Sequence, residues 1–345
     1  MPHLRNIDER LVGSSLATGI AGGRRSFGPR GWTGLLVGAA LMMLVSGCPT
    51  GTKRNPRLSK KLYWLGRNYY ERAAKAKTAP AKSKFLEEAL VQLKKSVKHD
   101  KKNYLSRNLL GYLYLQKADQ ELGITEVGQC LRGEEGKENR KNAELLFRKA
   151  REHFQAVVKL EPKCTNSLLG LTNVAMYFKE YEKAIGYARK VINTLLEGGV
   201  KASCSSPGDK AVAWANIGWA HFNLGSKVRA SKNLRQALFL APKFYLAHYW
   251  LGRVLYAQSR YEEALKEFEM TVKEFGLPQS AHQYLGLTKL KMGRKQGARR
   301  AFLLCVKVAP NSCTAKECRR YLKVMSRPRE TPSTTRSGKG DKIER

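Results

Sequence analysis

The clearest order in the chain is a spacing of small and large apolar positions. Gly218, Gly252 and Gly286 recur at one interval of about 34 residues, and so do Ala230, Ala264 and Ala298. Leu234, Phe268 and Phe302 repeat at the same interval. Between these marks the apolar residues recur with helical spacing, which predicts a pair of helices, A then B, in every period. The fourth unit shows the pattern most fully, with Trp214, Ile217, Gly218, Ala230, Leu234, Ala237 and Pro242. Gly and Ala are expected where A crosses B, because larger side chains would hold the helices apart. Aromatic residues fill the space between successive hairpins, and Pro ends helix B.

The earlier units follow the same plan with departures. The third has Leu168, Leu171, Tyr181, Ala184 and Ala188, with Thr172 where the Gly belongs. The second has Leu110, Gly111, Ala150, Phe154 and Pro162, but its inter-helix segment is longer and holds Gly123, Gly128, Cys130, Gly133 and Gly136. The first has Leu65, Gly66, Ala89 and Leu93, with extra residues around Thr78-Ala79-Pro80. The glycines at 198–199 read as a loop between units, and the sixth unit closes at Pro310. Residues 313–325 read as one more amphipathic helix, suited to covering the last open face of a repeat array. The period and the order of residue types resemble the tetratricopeptide repeat (TPR), W-x2-L-G-x2-Y followed by Ala, Phe and Pro. That resemblance implies an all-α superhelix of about six helix-turn-helix repeats with a C-terminal capping helix. The expected array covers residues 59–325, and the Pro-, Ser-, Thr- and charge-rich stretch 326–345 is expected to be a disordered basic tail.

A different apolar pattern marks the N-terminus. Residues 34–47 carry no charge, follow Arg24, Arg25 and Arg30, and are too few to span a bilayer comfortably. The run ends Val45-Ser46-Gly47-Cys48, which resembles the lipobox of bacterial lipoproteins. Residues 1–47 are therefore expected to be a lipoprotein signal peptide, Cys48 the lipidated residue, and 48–58 a linker. Arg24-Arg25-Ser26-Phe27 is compatible with twin-arginine export or with an ordinary basic leader.

Charge adds a second theme. The chain has 64 Lys+Arg against 28 Asp+Glu. Only five of those cations and two of those acids lie in the first 47 residues, so the basic character belongs to the body of the protein. An excess of this size implies an anionic partner or surface without naming it.

Catalytic chemistry is not evident. The sequence contains no HExxH, no P-loop and no GxSxG elbow, and no metal or cofactor is expected. His221, His248 and His282 recur near one repeat position, which packing explains better than catalysis. The motif's groove positions fall on Tyr112, Tyr177, Trp219, Phe222, Tyr249, Arg253 and Tyr256. These residues are candidates for a concave partner groove, and several also suit inter-repeat packing. Cys164 opens the third repeat and Cys204 lies in the loop that closes it, so the two can meet. Cys305 on the last B helix and Cys318 on the capping helix form a second candidate disulfide. Free buried thiols are the alternative for all four, since six cysteines besides Cys48 permit fifteen connectivities.

A lipobox, six repeats and a cap together resemble the pilotin lipoproteins of type IV pilus systems, the PilF, PilW and Tgl family. The stretches Ala215-Asn216-Ile217-Gly218-Trp219-Ala220 and Cys318-Arg319-Arg320-Tyr321-Leu322 are most similar to the Tgl group. The resemblance implies a non-enzymatic scaffold, lipid-anchored at the periplasmic face of the outer membrane. Its expected protein partner is the secretin subunit, whose assembly into a ring such proteins promote. The long second-repeat insert and the positive charge depart from the family. A general envelope adaptor, serving β-barrel assembly or peptidoglycan enzymes, is the alternative. A cytoplasmic nucleic-acid binder fits the charge but not the lipobox, so no nucleic acid is expected. Pro49 rather than Asp after Cys48 favours the outer membrane.

Overall fold

The computed structural model describes residues 54–122, 133–275 and 279–326. The signal segment, Cys48 and the basic tail beyond residue 326 lie outside them. The described residues form thirteen α-helices. They pair as α1 (Pro56–Lys75) with α2 (Ala79–His99), α3 (Tyr104–Glu121) with α4 (Gly133–Leu160), and α5 (Thr165–Tyr177) with α6 (Tyr181–Glu197). The pairs continue as α7 (Asp209–Asn223) with α8 (Lys227–Leu240), α9 (Tyr245–Ala257) with α10 (Tyr261–Phe275), and α11 (Gln279–Lys291) with α12 (Lys295–Val308). Helix α13 (Cys313–Met325) packs on α12 and α11 and closes the array. This is the all-α arrangement of six A/B hairpins and a cap that the regular spacing of glycines and alanines predicts.

Glycine fixes the crossings. A Cβ built on Gly218 would lie 2.7 Å from Leu234, and one on Gly286 would lie 2.6 Å from the Phe302 ring. Phe154 is held between two such positions: a Cβ on Gly111 would come within 2.5 Å of its ring and one on Gly170 within 2.4 Å. The third repeat solves the same problem differently. Thr172 and Ala188 take the places that Gly218 and Leu234 hold in the fourth repeat, at the same offset from one another, and both are fully buried. A larger residue on the A helix is matched by a smaller one on the B helix. The Thr172 hydroxyl donates to the Leu168 carbonyl oxygen at 2.9 Å, so its burial leaves no unpaired donor.

Helix ends follow the local sequence. Asn55 caps α1 by accepting from the Leu58 amide, with Pro56 as the first helical residue. The array thus begins slightly before the expected boundary at 59. Asn103 and Ser312 cap α3 and α13 in the same way. Pro162, Pro242 and Pro310 each stand just beyond the end of a B helix. Gly198 and Gly199 adopt positive φ (75° and 73°), which turns the chain out of α6.

The extra residues of the first two repeats do not form long loops where the structure describes them. In the first repeat they lengthen both helices, to 20 and 21 residues, around a turn capped by Thr78. In the second they extend the B helix: α4 has 28 residues, whereas α8 and α12 have 14 each. At a rise of about 1.5 Å per residue α4 is about 42 Å long. The glycines at 133 and 136, read from sequence as part of an inter-helix segment, belong to its first turn; residues 123–132 lie outside the described set.

Each A helix touches the next A helix along the array, whereas successive B helices make no comparable contact. The A helices therefore line the inner side of the curve. Both expected disulfides are present. Cys164–Cys204 has a Cα separation of 4.8 Å and ties the loop after α6 to the start of α5, and Cys305–Cys318 (6.4 Å) ties the cap to α12. Cys313 is also disulfide-bonded. Among the described residues no helix is long and apolar enough to cross a membrane.

Candidate binding groove

The inner face of repeats four to six is an aromatic array built around one cation. Trp219 on α7 and Arg253 on α9 are one repeat period apart and hold the same place in consecutive repeats. The repeat pitch therefore lays one on the other, with the guanidinium carbon 4.5 Å from the Trp219 ring centre. The same guanidinium lies 5.0 Å from Tyr284 and 5.8 Å from both Phe222 and Tyr249. Trp219 stacks in turn on Trp250 at 5.3 Å and on Phe222 at 5.1 Å. Each face-on contact between cation and ring is favourable, more so away from water.

Arg253 is only 8% exposed, yet its Nε and Nη1 make no hydrogen bond. The Trp250 indole N–H and the Asn216 side-chain amide nitrogen nearby are also buried and unpaired. Native structures leave few such groups without a partner, so their concentration on α7 and α9 is informative. The cation is held by ring faces and by the Tyr249 side chain, and among the described residues no carboxylate pairs with it. Burial raises the Tyr249 phenol above its ordinary pKa, against the lowering influence of Arg253, so that phenol stays neutral.

The seven residues singled out from sequence divide into two groups. Trp219 (2% exposed), Tyr249, Arg253 and Tyr112 are buried, whereas Phe222, Tyr256 and Tyr177 are partly exposed. Tyr112 belongs to the interior. Its hydroxyl donates to the Asn166 carbonyl oxygen at 2.6 Å, its ring packs edge-on against Phe154, and burial raises its pKa well above the ordinary value. Tyr177 lies elsewhere, stacked on Phe147 at 3.8 Å with Phe178 beside it. The structure therefore brings together Trp219, Phe222, Tyr249, Arg253 and Tyr256. It adds Trp250 and Tyr284, which the motif positions missed. Those two are themselves one repeat period apart, and that aromatic pair in register was a signal available in the sequence.

The histidines have no common role. His282 is buried without a partner, His248 bridges Glu267 (2.6 Å) and the Pro242 carbonyl oxygen (2.9 Å), and His221 borders α8. Among the described residues no group of three or more His, Cys, Asp or Glu side chains could hold a metal ion.

Residues 213–277, which span repeats four and five, match the tetratricopeptide repeat family. No curated protein sequence matches the chain. Similar solved structures include PilF of Pseudomonas aeruginosa, at 13% identity and a TM-score of 0.53, covering 76% of this chain and 97% of that one. PilW, described as a widely conserved type IV pilus biogenesis factor, matches at 15% identity and a TM-score of 0.55, covering 76% and 98%. The Cut9-Hcn1 structure from the APC/C matches at 14% and 0.52, over 78% of this chain but only 46% of that one. Residues 213–277 thus match tetratricopeptide repeats, within an array whose fold is related to those of the two pilus factors. At these identities the likeness is one of fold.

Proposed function

We propose that the protein is a pilotin: a lipoprotein attached through Cys48 that captures secretin subunits in the groove of repeats four to six and promotes their assembly in the outer membrane. The observation that carries the reading is the buried Arg253 inside its aromatic cage, with Nε and Nη1 left without hydrogen bonds, on an array with which nearly the whole of PilF and of PilW aligns. Aromatic and Arg side chains dominate binding energy where they can be desolvated. An extended or helical segment suits the groove if it offers an apolar side chain to Phe222, Tyr256 and Tyr284, and a carbonyl or carboxylate oxygen to Arg253. The Tgl group is the subgroup proposed, on the two short stretches of sequence quoted above.

In cells of a piliated host, a deletion strain should keep secretin monomers and lose the heat-resistant multimer, together with surface pili. Metabolic labelling with a palmitate analogue should mark the wild type and not Cys48→Ala. Truncating Trp219 and Tyr249 would confound any groove test, because both rings are buried and each loss costs about 3–5 kcal/mol of stability. Phe222→Ala with Tyr256→Ala is the cleaner pair. It should remain helical and fail to restore the multimer. Normal multimers in the deletion strain would remove the pilotin role.

A further inference from the structure

The opposite side of the array carries a feature that the groove does not use. Helices α6, α7 and α8 enclose an open recess of about 370 Å³. Ile192, Ile217 and Trp214 contribute its apolar wall, and the Trp214 indole N–H is buried without a partner. Arg189, Arg229 and Lys232 stand around it. Nearby acids are engaged elsewhere: Glu180 with Arg151 and Lys183, and Glu263 with Arg235 and Arg260. Glu182 lies close enough to act on His221, but the influence of Arg229 and Arg189 on that ring exceeds it. None of the three cations forms an ion pair among the described residues.

Large apolar side chains lie uncovered on the same helices. Phe239 is 79% exposed and Val228 78% exposed, and both share the outward face of α8 with Lys232 and Arg235 at helical spacing. Leu196 is 68% exposed and is the penultimate residue of α6, as Phe239 is of α8. One solvent-facing helix side thus sets bare large hydrophobes beside the unpaired Lys232, while Arg235 is paired with Glu263. Water disfavours the Phe and Leu, and the like charge of a second copy of this chain would be repelled by the cations.

We infer that the α6–α8 face docks on an anionic phospholipid surface, with Arg189, Arg229 and Lys232 at the headgroup phosphates and Phe239, Val228 and Leu196 entering the interfacial layer. Lys and Arg suit this geometry, because their stems lie along apolar surface while the charge reaches phosphate. The contact is distinct from the proposed lipid at Cys48 and does not depend on what the groove holds. It would orient the array on the bilayer, leaving the aromatic groove of the A helices directed away from it.

The full chain carrying Cys48→Ala separates this contact from the lipid anchor. In a pelleting assay it should bind vesicles of phosphatidylcholine with phosphatidylglycerol more tightly than vesicles of phosphatidylcholine alone, and added salt should reduce the difference. The first 47 residues contribute equally to every variant compared. Each cation near an anionic surface contributes about a fivefold gain, so Arg189→Gln/Arg229→Gln/Lys232→Gln should weaken the anionic preference by at least about tenfold. Phe239→Ser should weaken binding to the mixed vesicles while leaving the salt dependence in place. All four sites are exposed, and an unchanged circular dichroism spectrum verifies folding. Amide hydrogen exchange across residues 227–240 should slow on the mixed vesicles. Unchanged vesicle binding by the triple variant would overturn the inference. So would a loss confined to DNA or to an acidic protein, or a Phe239→Ser variant whose only effect is on self-association.

Discussion

Gly252 and Phe268 fix how closely α9 and α10 cross: a Cβ on the glycine would lie 2.7 Å from the phenylalanine ring. The same contact recurs at Gly286 and Phe302, and the third repeat replaces it with Thr172 and Ala188 in the same register. A volume trade between two helix positions therefore sets the hairpin.

Gly252→Ala should destabilise the protein by about 1–3 kcal/mol in urea denaturation, because Phe268 is fully buried and has little room to turn away. Ala188→Phe should overpack the third repeat by a similar amount. Combining it with Thr172→Gly should recover part of that loss, since adjacent changes in one packed site are not additive. Additivity of the two single changes would show that the helix crossing is not governed by this pair.

Acid should loosen the second repeat. Burial, helped by Arg107 and Lys94, lowers the pKa of His153 to about 4, and its Nδ1 has no partner. The folded state therefore binds this proton less readily than the unfolded chain does. The associated stability is fully present above the unfolded value near 6.5 and is lost as pH falls through about 4, a change of up to about 3 kcal/mol. The buried imidazole of His282 is shifted in the same direction. Urea midpoints measured between pH 7 and 4 should fall for the wild type and fall less for His153→Phe. Parallel curves for the two proteins would assign the acid sensitivity elsewhere.

Loss of the Cys164–Cys204 bond should cost more stability than loss of the Cys305–Cys318 bond. The Cys164–Cys204 bond closes 40 residues of chain and Cys305–Cys318 only 13. Each bond is expected to contribute about 2–4 kcal/mol, with the longer loop at the upper end. Cys164→Ala/Cys204→Ala should accordingly lower the thermal midpoint further than Cys305→Ala/Cys318→Ala. The reverse order would mean that native-state packing around the cap outweighs loop closure.

Arg253→Met should keep the fold and lose partner capture. The thioether retains apolar contact with Trp219 and Tyr284 but supplies no donor. Because the wild-type guanidinium has two buried unpaired nitrogens, the variant should be as stable as the wild type or more so in thermal unfolding, and weaker in a secretin pull-down. A large loss of stability would mean that the cation–ring contacts hold the repeats together and are not reserved for a ligand.

The sequence by itself determined the repeat unit, the places where helices end, and the pairing of A with B. These follow from local rules: a fixed repeat period, Pro after helix B, side-chain caps, and small residues at fixed offsets. It also brought the right cysteines together, because the start of helix A and the end of helix B lie at the same end of a hairpin. Tertiary structure decided what local rules leave open. The extra residues of the first two repeats became helix, since helical spacing does not say where a long hairpin turns. A helices face both the groove and the next repeat, and positions three or four residues apart on one helix divide between those two environments. Hence Trp219 is buried and Phe222 partly exposed, although the motif placed both in the groove. The cage around Arg253 exists only because the superhelical pitch stacks equivalent positions of successive repeats, a distance set by packing along the whole array.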